Sequence, residues 1–281
     1  MEHLMFKFPP KVVGHISSLK KGSFVGQEYI MTKNGDDIFL LNRLCPHRFY
    51  PIGNLGTFEE ITCKLHGFSF NKDGSPINNP YKLSCHSSNI GKSGIVFRNF
   101  NEPNHKWVDD IANEKNLEYS HCYTGKSDGN WLWLMEIEAD LLHIRKDGVH
   151  PWLATQINPN DVKLENGDGW IYQEHPDGWW VYVFPFIFIE WSKGCLSINS
   201  TFPLDINNER GYTWMTQLYY DPDVTQEKRD IFNKIEDVFR EDVIVSEEQK
   251  TKYIPYKKSL DRLEDQTVIF GNWVNKNRIK L

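Results

Sequence analysis

The sequence predicts an α+β chain in two parts: an all-β N-terminal domain, then a domain combining an antiparallel sheet with long helices. Three observations carry this expectation. Up to about residue 100, short apolar runs alternate with Gly, Asn and Pro turns. From Asn130 to about Arg145, and again from about Thr225 to Lys250, the pattern turns helical. Between these helices, residues 170 to 220 are rich in Trp, Tyr, Phe, Ile and Val and are cut by closely spaced breaks, as in an antiparallel meander.

Taken in order, the first turns fall at Asn34-Gly35-Asp36, Gly53-Asn54, Asp73-Gly74-Ser75-Pro76 and Asn78-Asn79-Pro80, and Gly94–Phe97 reads as a closing strand. Asn101-Glu102-Pro103-Asn104 is the expected linker, giving domains 1–104 and 105–281. Gly148 and Pro151 punctuate the far side of the first helix. The meander breaks at Pro176-Asp177-Gly178, Ser192-Lys193-Gly194 and Asn207-Asn208-Glu209-Arg210-Gly211. With 281 residues, 40% hydrophobic and 14% aromatic, the chain can fill a core in each part. A net charge of −6 without a concentrated Lys/Arg block argues against nucleic acid as a partner. The longest apolar run, Trp179 to Trp191, is too short for a bilayer and is broken by Pro185, so no membrane association is expected.

Two short runs carry the chemistry. Cys45-Pro46-His47 and Cys63-Lys64-Leu65-His66-Gly67 spell C-x-H, fifteen intervening residues, then C-x-x-H. Each run offers one thiolate and one imidazole, the stoichiometry of a Rieske [2Fe-2S] centre, where two Cys hold one iron and two His the other. A Cys2His2 zinc site is the alternative, but zinc knuckles more often pair two Cys in one run and two His in the other. The spacing resembles a Rieske domain, and His66-Gly67-Phe68-Ser69-Phe70 resembles the HGW-x-F signature of its oxygenase and ferredoxin types. Respiratory Rieske proteins carry extra Cys and hydroxyl donors beside the cluster. Phe68 and Phe70 cannot donate, which implies a low reduction potential. The remaining Cys85, Cys122 and Cys195 show no disulfide framework, and the N-terminus shows no signal pattern, so a reduced cytoplasmic protein is expected.

A second motif follows. Asn130-Trp131, Glu136, Asp140, His143 and His150-Pro151 resemble the N-W-x4-E-N-x2-D-x2-H…H-P signature of Rieske non-haem iron oxygenases, terminal oxygenase (alpha) subunits. That resemblance implies a helix-grip catalytic domain in which two His and a distant Asp hold mononuclear Fe(II). His143 and His150 match the two imidazole ligands. Asp140 matches the carboxylate that links the iron-binding His to a Rieske His of a neighbouring subunit, within a head-to-tail homotrimer. Geometry adds a condition. In one continuous helix His143 and His150 would stand about 10.5 Å apart along the axis, too far to share a metal, so the helix must end between them, at Asp147-Gly148. The third ligand is expected on the late helix. Ile231, Ile235, Val238, Phe239 and Asp242 form one stripe, and an acid on an apolar stripe is costly unless paired or bound to metal. Glu241 and Asp237 read as solvated. The family's E-D…E-x-Q segment also aligns with Asp242, and Glu241 stands in reserve.

The resemblance implies an oxygenase that hydroxylates or oxidatively demethylates a small organic molecule, with electrons from a separate ferredoxin or reductase, since no flavin motif is evident. An apolar or aromatic substrate suits the aromatic-rich second half, although core packing explains the same composition. The six residues between His143 and His150, where the family has three or four, and Ile137, where an Asn is common, leave a second reading open: an electron-transfer or ligand-binding protein with a decayed second site. His3, His15, His86, His105, His121 and His175 lack metal spacing and read as surface or turn residues. Trp170, Trp179, Trp180, Trp191 and Trp214 read first as core. Cys85-His86 has no matching partner run.

Overall fold

In the computed structural model the described residues are 11–21, 23–25, 29–54, 56–58, 60–86, 88–91, 94–98, 116–167, 169–204, 209–255, 257–259 and 261–277. The chain divides into two compact units, Pro10–Thr124 and Gly125–Leu281. The linker expected at 101–104 lies outside the described residues, as do His3, His105 and the Asn207-Asn208 part of a predicted turn.

The first unit is all-β, as its turn spacing predicts. Its strands are β1 (Lys11–His15), β2 (Ser23–Val25), β3 (Tyr29–Asn34), β4 (Asp37–Asn42), β5 (Gly56–Phe58), β6 (Ile61–Cys63), β7 (Phe68–Phe70), β8 (Cys85–His86), β9 (Asn89–Ile90) and β10 (Ile95–Arg98). They form a five-stranded sheet in the order β5-β2-β3-β4-β8, a three-stranded sheet β1-β10-β9 and the hairpin β6-β7. A small core of Ile30, Leu41, Ile52, Ile61, Phe70 and Leu83 includes both Cys45 and Cys63.

The second unit is built on a seven-stranded antiparallel sheet, β11-β17-β16-β15-β14-β13-β12. Strand β11 (Glu118–Asn130), which belongs to this unit from Gly125 on, opens it. Strands β13 (Trp170–His175), β14 (Gly178–Val183), β15 (Ile187–Ser192), β16 (Cys195–Pro203) and β17 (Arg210–Tyr220) run as the predicted meander, which β12 (Lys163–Gly167) extends by one strand ahead of the expected start at residue 170. Its helices are α1 (Trp131–Ala139), α2 (Leu153–Gln156), α3 (Gln226–Asn233), α4 (Ile235–Glu248) and α5 (Asp265–Asn277). Helix α1 is central: it packs on α4, α5, β16 and β17. Asn130 starts it as N-cap, its Oδ1 accepting from the N–H groups of Leu132 and Trp133 at 3.0 and 3.4 Å. Helix α4 approaches the sheet closely where Gly129 passes, since a Cβ there would meet Ser246 Oγ at 2.3 Å. Among the described residues no helix is long and apolar enough to cross a membrane.

Two helix expectations are corrected. Helix α1 ends at Ala139, before His143, instead of running to Arg145. Asp140 stops it with extended backbone (φ −76°, ψ 115°), and its carboxylate accepts from Leu142 N at 2.7 Å in a turn. Asp140 and His143 are therefore not helical i, i+3 neighbours. The late helix is two helices, interrupted at Lys234, whose N–H bonds Ile231 O three residues back at 3.2 Å. Ile231, placed on the buried stripe from sequence, lies beyond that interruption and is 44% exposed.

Candidate cluster and metal sites

In the first unit both ligand runs fold as the same local device. The Phe49 N–H bonds Cys45 O at 2.7 Å, and the Gly67 N–H bonds Cys63 O at 2.8 Å. Each turn closes with a left-handed residue, Phe49 at φ 55° and Gly67 at φ 71°. The turns bury Cys45 and Cys63 in the core and leave the two imidazoles towards the surface. His47 Nδ1 and His66 Nδ1 face each other at 3.2 Å. Burial pushes the Cys45 thiol up, against the backbone N–H groups of His47 and Arg48 that bond it. Two thiols inward and two converging imidazole nitrogens outward fit a [2Fe-2S] cluster, which Cys45, Cys63, His47 and His66 would hold. Phe68 packs on both imidazoles, with ring centroids 5.2 and 5.9 Å away, and Tyr81 stacks on His47 at 5.4 Å.

In the second unit the loop after α1 and the middle of α4 bring three side chains together. His143, His150 and Asp242 have ligand atoms that all lie within 4.8 Å of one another. Asp242 Oδ1 is 2.8 Å from His150 Nε2 and 3.6 Å from His143 Nε2. Two ligands at right angles, each about 2.1 Å from one metal, sit about 3 Å apart. His150 Nε2 and Asp242 Oδ1 are buried without an aligned hydrogen bond despite their proximity. Lone pairs that converge on a point, instead of bonding each other, fit a cation between them, and two imidazoles with one carboxylate suit ferrous iron.

The surroundings orient both rings. His143 Nδ1 donates to the backbone O of Asp140, and His150 Nδ1 donates to Glu241 at 2.7 Å, so each ring presents Nε2 to the centre. Glu241, read as solvated and held in reserve as ligand, thus sits on the far side of His150 from Asp242. Burial alone would push the His150 imidazole down; Asp242 and Glu241 outweigh it and raise it. Burial dominates at His143 and lowers it. Gly148 matters for closure: a Cβ there would stand 2.4 Å from His143 O, so only glycine lets the loop fold back and bring the His143 and His150 rings to 4.7 Å. The Asp140 carboxylate, mostly buried, is pushed up to about 6 by burial, with the Leu142 N–H pulling the other way.

The three residues open into a cavity of about 60 Å³. Its floor is one face of the sheet, set by cross-strand rows: Trp180 opposite Glu190 opposite Ser197, and Tyr182 opposite Phe188 opposite Asn199 opposite Thr216. Of the Trp residues singled out from sequence, only Trp180 lines this cavity. The sequence reading missed Glu138 and Glu190, which also line it. A signal existed: Glu138 sits in an almost wholly buried helix and Glu190 in the run Ile187-Phe188-Ile189-Glu190-Trp191, the same acid-among-apolar cue that flagged Asp242. His15 and His175, read as surface or turn residues, are buried, each 5% exposed; His175 packs on Trp180.

Comparison with known proteins bears on the N-terminal unit and on the fold. Residues 10–93 match the family described as the Rieske [2Fe-2S] domain, so the N-terminal unit carries a Rieske domain, and with it a [2Fe-2S] cluster. The whole chain has the fold of Rieske oxygenases. The quaternary ammonium Rieske monooxygenase CntA in complex with L-carnitine superposes with a TM-score of 0.69 at 17% identity, over 96% of this chain and 89% of that one. Another CntA structure, described as giving insights into carnitine oxidation by gut microbiota and inter-subunit electron transfer, has a TM-score of 0.69 at 16% identity, over 96% and 89%. Pseudomonas putida CBB5 NdmA follows with a TM-score of 0.56 at 17% identity, over 95% and 88%. No curated protein sequence matches the chain.

Proposed function

We propose that this protein is the catalytic subunit of a Rieske non-haem iron oxygenase that hydroxylates or oxidatively demethylates a small organic molecule with an apolar body. The observation that carries this reading is the convergence of His143, His150 and Asp242 at the end of a partly aromatic cavity, in a chain that also holds a Rieske domain. When bound, the cluster supplies single electrons and ferrous iron supplies oxygen activation. The chain's own residues do the rest. Asp140 O and Glu241 hold the two imidazoles in the tautomer that leaves Nε2 free. Leu153, Ile235 and Val238 close the cavity against water, while Trp180, Tyr182 and Phe188 offer flat apolar surface to the substrate.

The assembly belongs to the same proposal. Inter-subunit electron transfer, described for CntA, supports a homotrimer in which Asp140 of one subunit meets His47 or His66 of the next. A ferredoxin or reductase donates the electrons, and the reduced thiols suit the cytoplasm. The test is Asp242→Ala. We expect the mononuclear iron and reductase-supplied oxygen uptake to be lost while the Rieske signal in electron paramagnetic resonance stays at full intensity. Unchanged iron content and oxygen uptake in this variant would remove Asp242 from the centre.

The unusual His143 to His150 spacing motivates the competing reading, an electron carrier with a decayed second site. The converging Nε2 and Oδ1 atoms speak against it.

A further inference from the structure

The cavity holds two carboxyl groups that the metal cluster does not use. Glu138, on α1, is 7% exposed, and neither of its carboxylate oxygens has a hydrogen-bond partner. It is not part of the metal cluster: among the described residues the ligand atoms within 4.8 Å of one another are those of His143, His150 and Asp242. Across the cavity, Glu190 on β15 is 6% exposed, with the indole N–H of Trp180 as its partner. Asn199 Oδ1, in the neighbouring row, is also buried without a donor. Among the described residues no Lys or Arg lines the cavity. Burial pushes both carboxyls up, Glu190 to about 7. A cation seated between them would hold them ionised, and ionised they outweigh by one the single positive charge that a dication keeps after Asp242.

Unpaired buried carboxylate oxygens are costly unless a partner arrives. Among the described residues, the unpaired side-chain atoms of this cavity outside the metal cluster are oxygens of Glu138 and Asn199. As a carboxylate and an amide carbonyl they accept, so the missing partner is a cation or a hydrogen-bond donor. The walls between them are aromatic: Trp180, Tyr182, Phe188 and Phe239. Aromatic faces beside desolvated carboxylates are the chemistry that recognises alkylated ammonium groups. The cavity is compact, about 60 Å³ against the roughly 10–15 Å³ that one water needs, which favours a small headgroup over a fused ring system. A wider cleft of about 500 Å³ shares Leu153, Glu190 and Ile235 with it, so Glu190 also stands at the passage between the two.

We infer that the substrate of this site is a small organic ammonium cation, its charge matched by Glu138 and Glu190 and its alkyl groups resting on Trp180, Tyr182 and Phe188. This rests on the oxygenase reading for what happens to the bound molecule, and deepens it by naming the substrate class.

The test is calorimetric titration of the anaerobic holoprotein with choline and with 3,3-dimethyl-1-butanol, its neutral isostere. Choline should bind at least about tenfold more tightly. That preference should collapse in Glu138→Gln and shrink in Glu190→Gln, while 3,3-dimethyl-1-butanol binds all three proteins alike. Glu190→Gln decides the matter alone where Glu138→Gln fails to fold. Equal or tighter binding of the isostere, as a protonated Glu138 acting as donor would give, overturns the inference. So does binding of neither probe, or a preference that survives both replacements. Because the readout is equilibrium binding without oxygen, failure of the oxygenase reading shows separately, in iron content and oxygen uptake.

Discussion

Asp140 uses its backbone and its side chain for different ends. Its carbonyl oxygen fixes the His143 ring, while its carboxylate accepts from Leu142 N at 2.7 Å and shapes the loop. Asp140→Asn keeps the carbonyl and an acceptor oxygen but removes the charge. It should retain both iron groups and the fold while lowering turnover about 10–100-fold; normal turnover would remove the bridging role. Glu136, in the same signature, is structural: it accepts from the Tyr253 hydroxyl, and burial raises it to about 7 from an ordinary 4.5. The folded state thus holds a proton that the unfolded chain gives up. Its contribution to stability is full below pH about 4.5 and is lost as pH rises through about 7. Glu136→Gln should flatten this part of the fall in thermal midpoint between those pH values; an unchanged slope would contradict a buried, raised Glu136. At this scale the sequence was legible where spacing itself encodes chemistry. Cys45, His47, Cys63 and His66 stand out by ligand count, and Asp242 by its cost on an apolar stripe. Glu138 and Glu190 carry the same cost but no motif, and only the cavity reveals what they face.

Turns and interruptions, more than the helices and strands themselves, set the geometry of the elements. The meander was readable because Pro176-Asp177-Gly178 and Ser192-Lys193-Gly194 mark its corners, and β14, β15 and β16 start and stop there. The early end of α1 was not, because Leu141 and Leu142 continue the apolar pattern while the stop comes from a side-chain bond of Asp140. The break at Lys234 leaves no trace either, since lysine is a good helix former. Gly148 was read as a helix breaker; in the structure it permits close approach of the loop to His143 O. Gly148→Ala should destabilise the protein by about 1–3 kcal/mol and weaken iron binding at the second site, leaving the cluster intact. Thermal unfolding and iron analysis check this, and a stable variant with full iron would show that the loop closes in another way.

At the scale of the whole molecule, two units divide the work: one buries two thiols and presents two imidazoles, and the other sets two imidazoles and a carboxylate at the end of an acidic, aromatic cavity. The central claim is that one chain carries both iron centres. It is tested most directly by iron and acid-labile sulfide per chain, with the electron paramagnetic resonance spectrum after reduction, on anaerobically purified protein. The account predicts about three irons and two sulfides with a Rieske signal. Two irons with that same signal, and no gain on adding ferrous iron, would contradict it and leave a Rieske electron carrier.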